Sequence, residues 1–417
     1  MAYSKQIAWD DGSNDKIYFS APASEGNQMV EVSSDANAGN ERTKTVNFNA
    51  SGVPPKALTI VQLGSGANFD DWCHDGDTHL WIDILEDYQL DQQLRIRLIG
   101  TIDWGDGTSK QSVNVSTYTT FTHTYSQKGK YRIDLHPTSG IFYLGGASTS
   151  YSVMGDRGGS HYFRTSVLYQ AEIGDTIIRT LSNYAFYYCY GLKRVLVSRK
   201  LTAFNTGVFF NCYGLRQVIF EDPTHINSCS LASNFYYCYN LQYITPLNIG
   251  SGGVTLTTPA RNCQSLMEFT IPSFITTIAQ NSFATMYGMK KLFCLPTTPP
   301  AISNANVFDS FPTGCAIMVP IGSLSNYQSA SYWADRSAQM VEAAAIKFTL
   351  TNVATSNQAS MAEKNGSYTT TLTAYSGTLG TVTVKMGGVD ITNTAYSAGV
   401  ISIANVTGNI EITATAS

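Results

Sequence analysis

With 417 residues the chain is too long for one hydrophobic core, and its length predicts about three or four domains. Charged residues are only 13% of it, well under the roughly 25% of an average soluble protein, and Ser, Thr, Asn, Gly and Tyr fill the gap, as suits an extracellular β-rich protein. A net charge of −4 gives no electrostatic reason to bind nucleic acid or an anionic membrane, and no apolar run approaches the roughly 18 residues that cross a bilayer, so no nucleic-acid partner and no membrane insertion are expected.

The first segment, residues 1–64, alternates like a small β-sandwich. Ile17-Tyr18-Phe19, Met29-Val30-Glu31-Val32, Thr45-Val46-Asn47-Phe48 and Leu58-Thr59-Ile60-Val61 are period-two runs separated by Gly, Asn, Ser and Pro clusters. With Asn37, Gly39 and Arg42 before the third run and Val61-Gln62-Leu63-Gly64 at the close, the segment resembles BACON modules. Those occur in gut-bacterial surface proteins and in phages of those bacteria, and the resemblance implies carbohydrate or mucin binding. The start, MAYSKQIAWDDGSND, lacks a basic stretch followed by an apolar one, so no secretion signal is expected there. Either a signal was removed, or the protein leaves a cell by another route such as release of virus particles on lysis; the second needs fewer assumptions.

Residues 65–139 predict a second sandwich. Trp104-Gly105-Asp106-Gly107-Thr108, followed by His123-Thr124-Tyr125 with Gly129, Tyr131 and Ile133, resembles a PKD-type module, in which a W-G-D-G turn precedes an H-T-Y strand start. Gly105 and Gly107 supply backbone freedom in a tight turn and Asp106 can accept from turn N–H groups, so a structural role is expected, ahead of a catalytic pairing of Asp106 with His123. The acidic run of Asp70, Asp71, Asp75 and Asp77 lacks the spacing of a calcium loop and reads as solvated, while His74 and His79 beside it stand too isolated for zinc.

From residue 140 to 340 the chain repeats itself. After a Gly- and Ser-rich entry, for which Phe163, Val167, Leu168 and Ile173 are candidate capping residues, come AFYYCYGLKRVLV, VFFNCYGLRQVIF, NFYYCYNLQYITP, PARNCQSLMEFTI and SFATMYGMKKLFC. The central positions Cys189, Cys212, Cys238, Cys263 and Met286 stand 23, 26, 25 and 23 residues apart, the period of a solenoid. Three residues before the centre come Phe186, Phe209, Phe235, Ala260 and Phe283; three after it, Leu192, Leu215, Leu241, Leu266 and Met289. Apolar residues six and eight past the centre predict a short half-buried strand, so each copy reads as a helical turn or loop followed by a strand, and neighbours must stack to bury their faces. The pattern F-x-x-C-x-x-L resembles the BspA-like leucine-rich repeats of bacterial surface proteins. Four of the eight cysteines share one core slot, which predicts reduced, inert packing, and the others follow no zinc-ligand spacing, so no structural metal is expected.

Val307-Phe308 echoes the Phe position and Ile317-Met318-Val319-Pro320 reads as a strand. A short amphipathic helix is then predicted from near Ser323, placing Leu324, Tyr327 and Tyr332 or Trp333 as a C-terminal cap like that of BspA-like arrays. Residues 345–417 carry five strand signals and a Gly387-Gly388 turn, and are similar to Ig-like modules that end many phage virion proteins and some bacterial surface proteins. The fold class is therefore mainly β, with β-sandwiches flanking a leucine-rich-repeat solenoid.

No nucleophile elbow, H-E-x-x-H, Walker loop or dinucleotide fingerprint is present, so no catalytic residue and no cofactor are assigned and an enzyme is not expected. Binding has better candidates. Tyr187, Tyr188 and Tyr190 flank the first Cys slot, Phe210 and Tyr213 the second, Tyr236, Tyr237 and Tyr239 the third, and Tyr287 the fifth. Lying between inward positions, they predict an aromatic stripe that offers flat apolar area with a polar tip. For any single tyrosine, covering the Cys and Leu ladder is the favoured role; for the stripe, recognition of a glycan or protein on a bacterial or mucosal surface is expected. The leading reading is a phage virion surface component, a fibre or decoration protein that oligomerises or docks by one terminal module onto other virion proteins. The alternatives are a bacterial cell-surface adhesin without its signal peptide and, behind it, a secreted glycan-active enzyme.

Overall fold

The computed structural model describes residues 3–8, 16–20, 32–34, 42–50, 53–62, 72–73, 75–140, 142–145, 151–156, 162–177, 179–221, 228–229, 231–246, 255–374 and 377–416. The chain is mainly β and divides into two compact units, Met1–Asp71 and Trp72–Ser417.

In the first unit, strands Tyr3–Ala8, Lys16–Ser20 and Val32–Ser34 make one antiparallel sheet. Arg42–Ala50 and Val53–Gln62 pair as an antiparallel hairpin. The runs at Ile17, Thr45 and Leu58 fall inside these strands, whereas Met29-Val30-Glu31 lies outside the described residues.

The second unit joins what the sequence divides. Strand Thr78–Ile84 pairs with Gly129–Pro137 on one side and with Leu168–Ile173, which opens the repeat array, on the other. On the opposite sheet, Asp91–Arg97 pairs with Phe142–Leu144, which pairs in turn with Arg179–Leu181. Both sheets of the 65–139 segment thus run on into the array, and one hydrophobic core extends from Leu80 to Met340. The first apolar face of the array is covered by a sandwich rather than by a loop. Val167, Leu168 and Ile173 are buried in that seam, and the side chain of Phe163 lies outside the described residues. His123 and Thr124 close strand Thr119–Thr124 instead of starting one, because the chain must turn there to return as Gly129–Pro137.

In the array, the strands after each centre stack in parallel and in register: Val195 lies beside Val218, and Val197 beside Phe220. Each coil also carries a second short strand on the opposite side, as at Leu201–Phe204, Thr255–Leu256 and Thr277–Ile278. The segment holding Phe and Cys is not a helical turn. The residue just before each centre, Tyr188, Asn211, Tyr237, Asn262, Thr285 or Ser310, has a positive φ of 55 to 64°. Left-handed residues end a helix after one turn. They also aim N–H groups at the next copy: Phe186 N donates to Val208 O at 2.8 Å and Asn211 N to Tyr236 O at 2.9 Å. Satisfying the backbone between copies instead of within them is what makes the array one body.

The Phe, Cys and Leu slots are buried throughout. Phe209 stacks between Phe186 at 5.3 Å and Phe235 at 5.7 Å. The thiols form a ladder of their own, Cys212, Cys238 and Cys263 donating to the carbonyls of Phe186, Phe209 and Phe235 at 3.0, 3.1 and 2.9 Å. A sixth copy completes the series. Phe308 stacks on Phe283 as Phe209 does on Phe186, and Phe311 takes the central slot.

The strands are buried on both faces, not half-buried as the alternation predicts. Seven residues past each centre stand Leu196, Ile219, Thr245, Thr270, Phe293 and Met318, all buried on the outer face. The C-terminal module supplies part of that cover: Met361 and Ala343 pack with Phe293 and Met318, Ser360 bonds Thr270 at 2.7 Å, and Gln358 accepts from Tyr243. The outer sheet is interrupted between the third and fourth copies, where Tyr243–Ile244 and Glu268–Ile271 do not pair. Pro246 stands there at the eighth position and has no N–H to give.

Helix Leu324–Ser329 closes the array. Tyr327 and Trp333 are wholly buried and donate to Pro296 O and Pro300 O at 2.8 Å each, while Tyr332 points outward. The 12-residue strand Met340–Thr351 then leaves the last array strand and enters the C-terminal sandwich, pairing there with Ile410–Ala416. That sandwich has its own core around Val384, Ile401 and Ile412, and Gly387 and Gly388 both adopt the positive φ of a tight hairpin turn.

Candidate functional site

The aromatic residues of the first three copies meet edge to edge along the turns. Tyr187 contacts Tyr188 at 4.4 Å, Tyr188 contacts Tyr190 at 5.2 Å, and Tyr190 reaches across to Tyr213 at 4.9 Å. Tyr213 contacts Tyr239, Tyr239 contacts Tyr237, and Tyr237 contacts Tyr236 at 4.3 Å. Tyr236 stacks on Phe210 at 4.8 Å, and Phe210 returns to Tyr187 at 5.2 Å. The rings form a closed circuit, because their slots repeat in register across three stacked turns. All are half-buried except Tyr213, which is 37% exposed.

Inside that circuit, in the slot between Tyr188 and Tyr237, stands Asn211. It is 5% exposed, and its side-chain oxygen has no hydrogen-bond partner within the chain. A buried acceptor of this kind costs about 1–3 kcal/mol, and its oxygen is closed to solvent. Burial, and then the neighbouring phenols, push the ionisation of Tyr213 and Tyr239 above the ordinary range. Both phenols therefore remain neutral donors at physiological pH.

Tyr287 does not join this group. The fourth copy places Arg261, Asn262 and Gln264 where the first and third have tyrosines, and Tyr287 stands beyond it, 47% exposed. Two further members were not among the aromatic candidates. Tyr184, five residues before the centre, contacts Tyr187 at 5.2 Å, and the Arg261 guanidinium lies 5.5 Å from the Tyr236 ring centroid. Arg261 was readable, since it holds the slot of Tyr187 and Tyr236 in the next copy; Tyr184 had no counterpart to announce it.

Asp106 and His123 meet, His123 Nε2 lying 2.8 Å from Asp106 Oδ2. The pair is enclosed by structure: His123 stacks on Trp104 at 4.8 Å, Tyr125 donates to Trp104 O at 2.8 Å, and a Cβ on Gly105 would stand 2.2 Å from Arg132 O. Burial would raise the Asp106 carboxyl, but hydrogen bonds from Thr108 and His123 prevail and hold it at about 2. The group fastens the turn.

The acidic segment is tied down as well. His136 Nδ1 lies 2.7 Å from Asp77, and Asp75 accepts from Asp77 N and faces His79. Asp70, Asp71 and His74 lie outside the described residues. His79 is not isolated. Its ring nitrogens lie 2.7 Å from Asp134 and 2.8 Å from Asp75, and strand pairing sets it beside Glu172, with Cys73 close by. Sequence spacing could not show this, because Glu172 is 93 residues further along and arrives only by the pairing of Thr78–Ile84 with Leu168–Ile173 (172 − 79 = 93).

Residues 158–290 and 232–309 match the family described as BspA type leucine rich repeat region, in six copies. A leucine rich cell surface protein from Faecalibacterium prausnitzii A2-165, known from its crystal structure, is similar at 17% identity, with a TM-score of 0.27. The match covers 51% of this chain and 48% of that one, so the chain spans about half the length of that protein. Among curated proteins none matches. No described helix is long and apolar enough to cross a membrane.

Proposed function

We propose that this chain is a non-enzymatic adhesin exposed on a bacterial surface, and that the aromatic circuit of its first three repeats binds a glycan. The observation that carries the reading is the closed circuit of tyrosine and phenylalanine rings along three stacked turns, with Tyr213 exposed. Sugars present apolar C–H faces that stack on such rings and hydroxyls that bond to phenol tips. The BspA-type repeats, and the description of a similar protein as a leucine rich cell surface protein, support a surface location. They support a bacterial adhesin over a virion component, which has no likeness of its own in these matches. The turn edge is the better candidate because the C-terminal module engages part of the outer sheet face, through Met361, Ser360 and Gln358.

The test uses the double variant Tyr188→Asn, Tyr237→Asn in the full chain. Asparagine is native to the same left-handed slot at Asn211 and Asn262, so the rings are removed without a new backbone conflict. On arrays of bacterial and mucin-type glycans the unaltered chain binds a defined subset, and the variant, folded by circular dichroism, loses at least tenfold in affinity. Equal binding by the variant would remove the circuit from the reading, and no glycan binding by the unaltered chain would remove the reading itself.

A further inference from the structure

Cys73, His79 and Glu172 present a sulfur, a ring nitrogen and a carboxylate oxygen that all lie within 4.8 Å of one another. His79 and Glu172 are cross-strand neighbours, 1% and 0% exposed. Cys73 is half-buried just before strand Thr78–Ile84, and its backbone N–H donates to Glu172 Oε2 at 2.8 Å. Whichever nitrogen of His79 takes an ion, the other keeps its hydrogen bond to a carboxylate, Asp134 or Asp75. That is how metal-ligating histidines are oriented, and the displaced carboxylate becomes a fourth donor.

We propose that Cys73, His79 and Glu172 bind one zinc-class transition-metal ion, with Asp75 or Asp134 completing a four-donor set. Thiolate and imidazole favour zinc over calcium or magnesium, which take oxygen shells. Tetrahedral zinc holds its donors roughly 3.5 Å apart, so the set closes by about 1 Å, a movement open to the half-exposed Cys73. Without the ion, burial and then the Glu172 charge push the Cys73 thiol up, and hydrogen bonds to Asp134 and Asp75 push His79 up against the effect of burial. Binding displaces the thiol proton, and any proton on the ligating ring nitrogen, to solvent. Arg132, 3.3 Å from the sulfur, steadies the thiolate. An ion here would fasten the entry of the second unit to two central strands.

The full chain, stripped with a chelator and titrated with zinc alone, then takes up one ion that survives gel filtration and raises the unfolding midpoint. Cobalt in its place gives a thiolate-to-metal charge-transfer band. Cys73→Ser weakens binding at least tenfold and abolishes that band while leaving the metal-free midpoint unchanged; its half-exposed position keeps the test clear of folding failure, and Glu172→Gln follows as the second variant. Absence of stoichiometric zinc, equal binding by Cys73→Ser, or calcium uptake without a cobalt band would each overturn the proposal.

Discussion

Replacing Tyr237 by Asn separates the backbone of the aromatic edge from its rings. Tyr237 holds a φ of 62°, a left-handed conformation that costs an ordinary residue roughly 1–2 kcal/mol. Asparagine enters that region several-fold more readily, which recovers about 1 kcal/mol. Against this gain stand the ring contacts with Tyr236 at 4.3 Å and Tyr239 at 5.6 Å. Two partly solvated pairs of this kind contribute roughly 2 kcal/mol. Tyr237→Asn is therefore expected to cost about 1 kcal/mol, and Tyr237→Ala, which loses the same ring without backbone relief, about 2 kcal/mol. Urea unfolding of the full chain, compared at equal slope, measures both. Equal stability of the Ala and Asn variants would refute the backbone argument. A loss above about 3 kcal/mol in the Asn variant would place Tyr237 with the core and leave nothing for recognition to explain.

Phe209→Ala, which empties a wholly buried slot between two stacked rings, should cost about 3–5 kcal/mol in the same assay, several times the loss at Tyr237. The array cysteines Cys189, Cys212, Cys238 and Cys263 should resist iodoacetamide in the native chain and react on unfolding, as read by peptide mass, because all four are buried and burial holds Cys212, Cys238 and Cys263 as thiols far above their ordinary range. Asp106→Asn should cost about 1–2 kcal/mol at pH 7, a figure reduced for partial exposure of the site. Its folded pKa lies below the unfolded one, so the stabilisation is complete above 3.8 and disappears as pH falls through about 2; unfolding of both forms across that window should converge at the acid end.

The repeat was legible because its constraint is local. Phe, Cys and Leu at fixed offsets report one buried slot each, and all of them are buried. The sixth copy escaped alignment on cysteine because Phe311 fills the centre there, beside Phe308 and the Arg336 guanidinium. Second strands of two residues, such as Thr277–Ile278, are too short for alternation to register. The joining of the 65–139 segment to the array was hidden for another reason. Its strands still alternate, and nothing in Thr78–Ile84 announces that one edge will pair with Leu168–Ile173. Outer-face burial was likewise a property of the partner: Leu196 and Ile219 look like solvent-side positions until both faces of the parallel sheet are covered. The tyrosines of the candidate site were visible one by one, but their closure into a circuit needed the register between copies. Asn211 gave no signal, because a polar residue in a variable slot looks like surface.

These coverings bear directly on where the array can be recognised. The sandwich takes its first edge, Tyr327 and Trp333 close its last, and the seventh position of the outer sheet is buried at every copy. Large side chains reach solvent on the turns instead, at Tyr213, Met267 and Tyr287. A repeat whose purpose was only to cover its core could carry asparagine in every left-handed slot, as the second and fourth copies do, and avoid the strain that Tyr188 and Tyr237 accept. Strain held by a bulky residue in such a slot points to function when the ring has something to do outside the fold. The two strained tyrosines both belong to the half-buried ring circuit, and the glycan binding proposed for that circuit would give their rings such a role.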